Sequence, residues 1–444
     1  MTEHAGESVG LRRAIAGHAN CPLSVIASLC VDADADVRRA AGPHMAGNPT
    51  MLKDLHDAGA SADLGEVAEP RPMTPDRIGA VASLGPWGRT LASRHPNAST
   101  DLLDTLAERL TPSVRAALAV NPNASASLLR RVAKPLDPSI AASLAEHPNT
   151  PIELLTELIE LPDLNVRTRV AAHPGLRLHD KLLLRLAVDG ASAVRDVVVR
   201  HHVLPDEIRD LLTAAGSSPD LMTFAPPEPS LSAERIDDLA HLGGWGRHLA
   251  ARHPSTSPAT LGRLLTDADA MVRFAAVRHP SRPAGLFDML IDAGSAADLQ
   301  GFDADATSPS LSRADLEALT DHGPWARRLA ARHPACPAAS LDLLAHDDAP
   351  AIRAEVARHL NTPSQTIAGL IDDGVPDVRW ALSARADLDA AMLFRLSRDP
   401  VPSIRLAVIR HPNTDRDTLD SLRRDLDRDV AAAAAAAAES VALG

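Results

Sequence analysis

The chain has 444 residues, 45% of them hydrophobic, with a formal net charge of −13, 2% aromatic residues and no tyrosine. That size allows two or three compact domains or one elongated array, with a core built from Leu, Val, Ile and Ala. The acidic balance argues against nonspecific binding to nucleic acid or to an anionic membrane.

Three dispersed cysteines, Cys21, Cys30 and Cys336, form no CxxC pair and fit a reducing compartment. The first residues do not form a charged-then-apolar leader, and no apolar run approaches the length of a membrane span. A cytoplasmic protein without membrane association is expected. Three lysines (Lys53, Lys134, Lys181) leave 42 of the 45 basic residues as arginine, which points to a GC-rich bacterial genome.

In chain order, one period organises nearly everything. An apolar or small anchor recurs at Leu11, Val37, Gly88, Val114, Ile140, Val166, Val194, Gly246, Val272, Ala326, Ile352, Val378, Ile404 and Val430. Most gaps are 26 residues and one is 28; the three of 51, 52 and 54 each hide one degenerate repeat. The spacing predicts regular repeats over 8–57, 84–213, 242–291 and 322–429. Degenerate repeats fall at 58–89, 214–247 and 292–327. The alanine-rich stretch 430–444 reads as a terminal cap, and 1–444 as one continuous array of about 17 two-helix repeats.

Each repeat has the same internal order. In "DLNVRTRVAAHP" Asp163 is placed to cap a first helix whose Val166, Val170 and His173 recur about one turn apart, and Pro174 stops it. In "TPIELLTELI" Thr150 reads as the N-cap of a second helix, with Pro151 at its first position and Glu153 closing a capping box. "TPSQ" at 362–365 repeats this with Gln365. Leu154, Leu155, Leu158 and Ile159 form the buried stripe. Helices this short are not stable alone in water, so stacking must hold them.

The pattern "VRxxVAxHPNTPxxLLxxL" on this period resembles the leucine-rich repeat variant family over essentially the whole chain. The resemblance implies an all-α, right-handed superhelical solenoid in which α-helices alternate with 3₁₀ helices. Some members also carry an N-terminal iron–sulfur domain. No cysteine cluster matches it here, so no cofactor is expected. HEAT-like repeats are the nearest alternative, but their units are usually longer.

Two columns invite a chemical reading. Seven residues after the anchor stands a histidine in 11 of 13 regular repeats, His18, His44, His95, His147, His173, His201, His253, His279, His333, His359 and His411, with Asn121 and Arg385 as exceptions. Zinc needs ligands about 2.0–2.3 Å from one ion. Equivalent residues of stacked repeats are about 8–10 Å apart. The column therefore reads as helix caps touching the neighbouring turn. One residue after the anchor stands an arginine in every regular repeat except at Ala141. With Asp34, Asp137, Asp163 and Asp269 three residues before their anchors, it suggests an Asp–Arg ladder.

A second arginine column directly precedes the histidine: Arg94, Arg200, Arg252, Arg278, Arg332, Arg358 and Arg410. Five residues along a helix turn it to another face. It reads either as a solvated face with local acid partners or as a positive stripe for an acidic or phosphate-bearing partner. The degenerate repeats share A-G, then D-L, a variable loop, an N-cap (Thr74, Ser232, Ser312) and a tryptophan: Trp87, Trp245 or Trp325. These tryptophans read as packing or as part of a recognition edge, together with Phe224 and Phe302 in the loops.

No phosphate loop, HExxH, GxSxG or ordered Cys/His dyad is present. The expectation is a non-enzymatic scaffold that binds another macromolecule, a protein by preference, through Arg200, Arg252, Arg278, Arg332, Arg358, Arg410 and the aromatic residues. A nucleic-acid binder or processor resembling HEAT-like DNA alkylation-repair glycosylases is the alternative, disfavoured by charge.

Overall fold

The computed structural model describes residues 9–18, 21–307 and 311–443. The chain divides into two compact units. One is Met1–Asp210 with Pro219–Thr223; the other is Leu211–Ser218 with Phe224–Gly444. Among the described residues there are thirty α-helices and one two-stranded sheet, so the fold is an all-α array of stacked helical repeats.

One repeat explains the rest. Asp137 caps the helix Pro138–Glu146 by accepting from the Ser139 amide, and that helix buries Ile140, Ala141, Leu144 and Ala145. Pro148 ends it, and Ile152–Ile159 follows, burying Leu154, Leu155, Leu158 and Ile159 on the stripe expected from their spacing. Asp34, Asp163 and Asp269 cap their helices in the same way. First helices then stack on first helices: Pro350–Arg358 packs between Pro324–Arg332 and Pro376–Ser383. The last helix, Arg428–Leu443, packs on Pro402–Arg410 and Arg416–Leu422.

The turn after the histidine differs from the sequence reading. Pro151, not Thr150, stands at the N-cap, and no capping box forms there or at Pro363. Thr150 looks backward instead: its hydroxyl donates to the Leu144 carbonyl at 2.6 Å and closes the preceding helix. Thr362 does the same to Val356. A helix ended by proline leaves carbonyls unpaired, and a buried hydroxyl six residues on satisfies one of them. Glu153 instead pairs with Arg130 of the repeat before. Among the described residues the alternation of α with 3₁₀ helices is also absent. Second helices are α-helices of about two turns, and among the described residues 3₁₀ geometry is confined to Gly42–Gly47, Ala107–Arg109 and Pro174–Leu178. Apolar pairs such as Leu154/Leu155 and Leu158/Ile159 fit a period of 3.6, not 3.0.

Two ladders cross between repeats. The Asp–Arg ladder exists, but on a different aspartate column from the one read in the sequence. The aspartates three residues before the anchor are spent as N-caps. Those five before it receive the arginine of the preceding repeat: Arg353 to Asp373 at 2.7 Å, Arg379 to Asp399 at 2.6 Å and Arg405 to Asp425 at 2.7 Å. Arg12, Arg167, Arg247 and Arg327 make the same bond to Asp32, Asp189, Asp267 and Asp347. Arg167, Arg327, Arg353, Arg379 and Arg405 also bind a carbonyl of their own repeat, as Arg379 does to Asp373 at 2.6 Å. Each such aspartate also caps a local amide, as Asp399 does for Val401 at 2.8 Å. Burial alone would raise the Asp373 carboxyl, but the Arg353 fork outweighs it and holds the group below the ordinary carboxylate range.

The second ladder runs through the histidines. The Nδ1 atom of His147 accepts the Asn149 amide at 3.2 Å, so Nε2 carries the proton and donates to the Asn121 carbonyl. His173 donates to His147, His279 to His253 and His359 to His333 in the same way, at about one repeat's remove. The two exceptions keep the rung: Asn121 donates to the His95 carbonyl at 3.0 Å, and Arg385 donates to the His359 carbonyl at 2.6 Å. In the 28-residue repeat the rung is His202, not His201: its Nε2 meets Ala171 at 2.8 Å while His201 is exposed. His44 is also exposed, in the 3₁₀ segment Gly42–Gly47. Asparagines of the HPN turn add parallel rungs, such as Asn149 to Ala124 at 2.9 Å.

Substitution and pH both probe the ladders. Asp399→Ala strands the buried Arg379 guanidinium and is expected to cost about 3–5 kcal/mol. Glu153→Ala removes an exposed partner and is expected to cost less than about 1 kcal/mol; urea unfolding of both variants compares them. Burial lowers the imidazoles of His253 and His202 below their ordinary 6.5. The folded state then binds fewer protons than the unfolded one. The stabilisation is complete above about pH 6.5 and is lost as pH falls through the folded values. Melting temperature is expected to drop between pH 7 and pH 5, before carboxylates protonate. His253→Asn, copying Asn121, is expected to flatten that drop.

Candidate arginine and aromatic surface

The three degenerate repeats share one construction. The missing element is the first helix, and a short hairpin stands in its place. Ala293–Ser295 pairs antiparallel with Phe302–Thr307, and single bridges join Ala60 to Val67 and Ser217 to Phe224. The shared A-G supplies a positive φ at Gly59 and Gly216 (97° and 92°), where a Cβ would strike the carbonyl of Ala68 or Ala225. The shared D-L is a turn. Asp63, Asp220 and Asp298 each accept the amide two residues on. Leu64, Leu221 and Leu299 then adopt left-handed φ near 60°, 58° and 54°.

That turn receives an arginine where no ladder aspartate is available. Arg38, Arg195 and Arg273 donate Nε to the carbonyls of Leu64, Leu221 and Leu299 at 2.8, 2.7 and 2.6 Å. Their Nη1 atoms bind two carbonyls of their own repeat, as Arg273 does to Asp267 and Ala268 at 2.8 Å each. The guanidinium lies over a tryptophan: Arg38 over Trp87 at 4.1 Å and Arg273 over Trp325 at 3.7 Å. Arg273 is 2% exposed, and burial pushes its pKa down to about 10.

Trp87, Trp245 and Trp325 are therefore buried, at 5%, 7% and 6% exposure, and act through what they hold. Trp245 and Trp325 donate Nε1 to Ser217 and Ser295 at 3.1 Å. Phe224 and Phe302 cover them, with ring centroids 4.4 Å from Trp245 and 4.6 Å from Trp325. On the outer side lie arginines of the second column: Arg252 over Phe224 at 3.9 Å and Arg332 over Phe302 at 4.0 Å. Arg332, Phe302, Trp325 and Arg273 thus form four layers from solvent to interior, two stacked aromatic rings between two guanidiniums.

The second arginine column sits at the exposed C-terminal ends of first helices. In the second unit it comprises Arg252, Arg278, Arg332, Arg358 and Arg410. Arg278 lies over Phe274 at 3.6 Å. Among the described residues, Arg252, Arg278, Arg332 and Arg410 have no carboxylate partner, while Arg358 is 3.6 Å from Glu355. The first unit is different. Arg200 pairs with Asp196, and Glu146 holds the column position and pairs with Arg169. The unpaired cations thus concentrate in the second unit, with Arg94 the exception in the first.

Sequence reading missed four neighbours two residues after the anchor: His248, Phe274, Arg328 and Trp380. His248 tilts against Phe224 at 5.0 Å, and Arg328 lies over Phe302 at 4.8 Å and pairs with Glu355. Trp380 is 46% exposed. For three of them the signal was helical: His248, Phe274 and Arg328 stand four residues before Arg252, Arg278 and Arg332, one turn away on the same face, whereas Trp380 stands four before Ala384. An open groove of about 720 Å³ near Asp342, His346, Asp348 and Asp373 belongs to the Asp–Arg ladder. Among the described residues no group of three or more His, Cys, Asp or Glu is placed to hold a metal ion.

No family model matches the chain, and no curated protein matches it. Among solved structures it is similar to a leucine-rich repeat variant described as having a novel repetitive structural motif, at 18% identity over 63% of this chain and 88% of that one, with a TM-score of 0.26. It is also similar to an engineered protein, at 14% identity over 95% and 98% of the two chains, with a TM-score of 0.17.

The layered stack separates packing from surface. Trp325→Ala empties a buried site beneath Phe302 and is expected to cost about 3–5 kcal/mol. Trp380→Ala removes an exposed ring and is expected to change stability by no more than about 0.5 kcal/mol. Guanidinium unfolding followed by circular dichroism checks both.

Proposed function

We propose that the chain is a non-enzymatic binding scaffold whose second unit receives an anionic macromolecule, by preference an acidic segment of another protein. The observation that carries this is the row Arg252, Arg278, Arg332 and Arg410: exposed guanidiniums without carboxylate partners among the described residues, in a protein of net charge −13. The arginines of the ladders, by contrast, are paired or buried almost without exception.

Electrostatics sets the scale. Like charges about 8–10 Å apart in neighbouring repeats repel by about 0.5 kcal/mol per pair in water. The fold tolerates that small cost, and a bound polyanion would reverse its sign. The acidic remainder of the surface would repel polyanions elsewhere and direct them to this row. The aromatic neighbours Phe224, Phe274 and Phe302 supply apolar area beside the charges, as recognition surfaces built on arginine and aromatic anchors do.

Fluorescein-labelled poly-L-glutamate provides the test. It is expected to bind the intact protein, to weaken as salt rises from about 50 to 200 mM, and to lose at least about tenfold in affinity when Arg252, Arg278, Arg332 and Arg358 are changed together to Glu. Duplex DNA binding at near-physiological salt, with poly-L-glutamate ignored, would overturn the protein-partner reading.

A further inference from the structure

The stacking of this row says more about the ligand than its charge does. On the premise of the proposed binding role, we infer that Arg252, Arg278 and Arg332 are pre-set clamps for single carboxylates, and that the row takes an extended acidic peptide with a carboxylate at about every third residue. Each of these arginines has its guanidinium 3.6–4.0 Å above a phenylalanine ring: Phe224, Phe274 and Phe302 respectively. A guanidinium stacked by its face keeps its N–H donors in plane, directed sideways. Those donors match the two oxygens of a carboxylate. The rings hold the side chains where a partner would need them, which lowers the ordering cost of binding.

The rings themselves are fixed. Phe224 and Phe302 are backed by Trp245 and Trp325, with interplanar angles of 14° and 25°. Phe274 is set one helical turn before Arg278 within Ala270–Val277. This arrangement also bears on ligand class. A single-stranded nucleic acid binds such surfaces by stacking bases on open aromatic faces. Here Phe224 and Phe302 have a tryptophan on one face and an arginine on the other, and Phe274 carries Arg278. Acid side chains need no open ring, whereas bases do.

The register comes from the repeat. Arg252 and Arg278 are one repeat apart, and the degenerate repeat containing Phe302 separates Arg278 from Arg332. Stacked helices are about 8–10 Å apart, and an extended chain rises about 3.3 Å per residue. One repeat therefore spans about three residues. Carboxylates at relative positions 1, 4 and 10 would meet the three clamps. Arg358 is already shared with Glu355 and contributes less.

The experiment compares three labelled probes on the full chain by fluorescence anisotropy: a 15-residue peptide of five Glu-Ser-Gly units, a peptide of the same composition with its five glutamates contiguous, and oligo-dT. The periodic peptide is expected to bind at least about fivefold more tightly than the contiguous one. Phe274→Leu, with its melting temperature checked, is expected to weaken the periodic peptide by at least about threefold. Changing Arg252, Arg278 and Arg332 to Gln is expected to abolish the difference between the peptides. Equal affinity for the two peptides, or no effect of Phe274→Leu, would overturn the clamp inference and leave the anionic row standing. Oligo-dT binding above both peptides would overturn the choice of ligand. Failure of poly-L-glutamate as well would overturn the binding role itself.

Discussion

A side chain that reaches into the next repeat is the constraint on which the rest depends. Helices of seven to ten residues cannot hold themselves, and in this chain they are held by stacking. Apolar burial stacks them but does not fix their rotation. The bonds that do so are directional. An arginine bridges to an aspartate twenty residues on, and a histidine or its substitute reaches a carbonyl about one repeat back. Both groups are largely withdrawn from water, so leaving either unpaired would cost far more than a surface pair is worth.

That constraint also explains the degenerate repeats. Where a hairpin replaces the first helix, the ladder aspartate is absent, yet the preceding arginine is still buried. A left-handed leucine carbonyl then takes its Nε; a tryptophan face lies beneath Arg38 and Arg273. The tryptophan follows from the interrupted ladder. Phe224 and Phe302, laid over Trp245 and Trp325, carry the same stack outward to arginines of the exposed column. An internal packing solution thus becomes a surface feature.

Much of this was legible in the sequence because periodicity is a spacing property. The anchor positions, the aspartate N-caps and the histidine column follow from a 26-residue repeat read against helix geometry. What was not legible depends on direction. Thr150 faces backward onto Leu144 instead of forward as an N-cap. Asp373 rather than an N-cap aspartate meets Arg353, and His202 displaces His201 in the repeat two residues longer. Sequence spacing gives no sign of which neighbour a side chain turns toward. The surface row was half visible: the arginine column was plain, whereas Phe274 and Trp380 emerged only when the face was seen whole.

The central claim is that two of the chain's arginine columns differ in kind, one holding repeats together and one left available on the second unit. Arginine-selective labelling with phenylglyoxal, followed residue by residue with mass spectrometry, tests that division directly. Arg252, Arg278, Arg332 and Arg410 are expected to label rapidly in the native protein, while Arg273, Arg353, Arg379 and Arg405 label only after unfolding. Ladder arginines reacting as fast as the row would contradict the account.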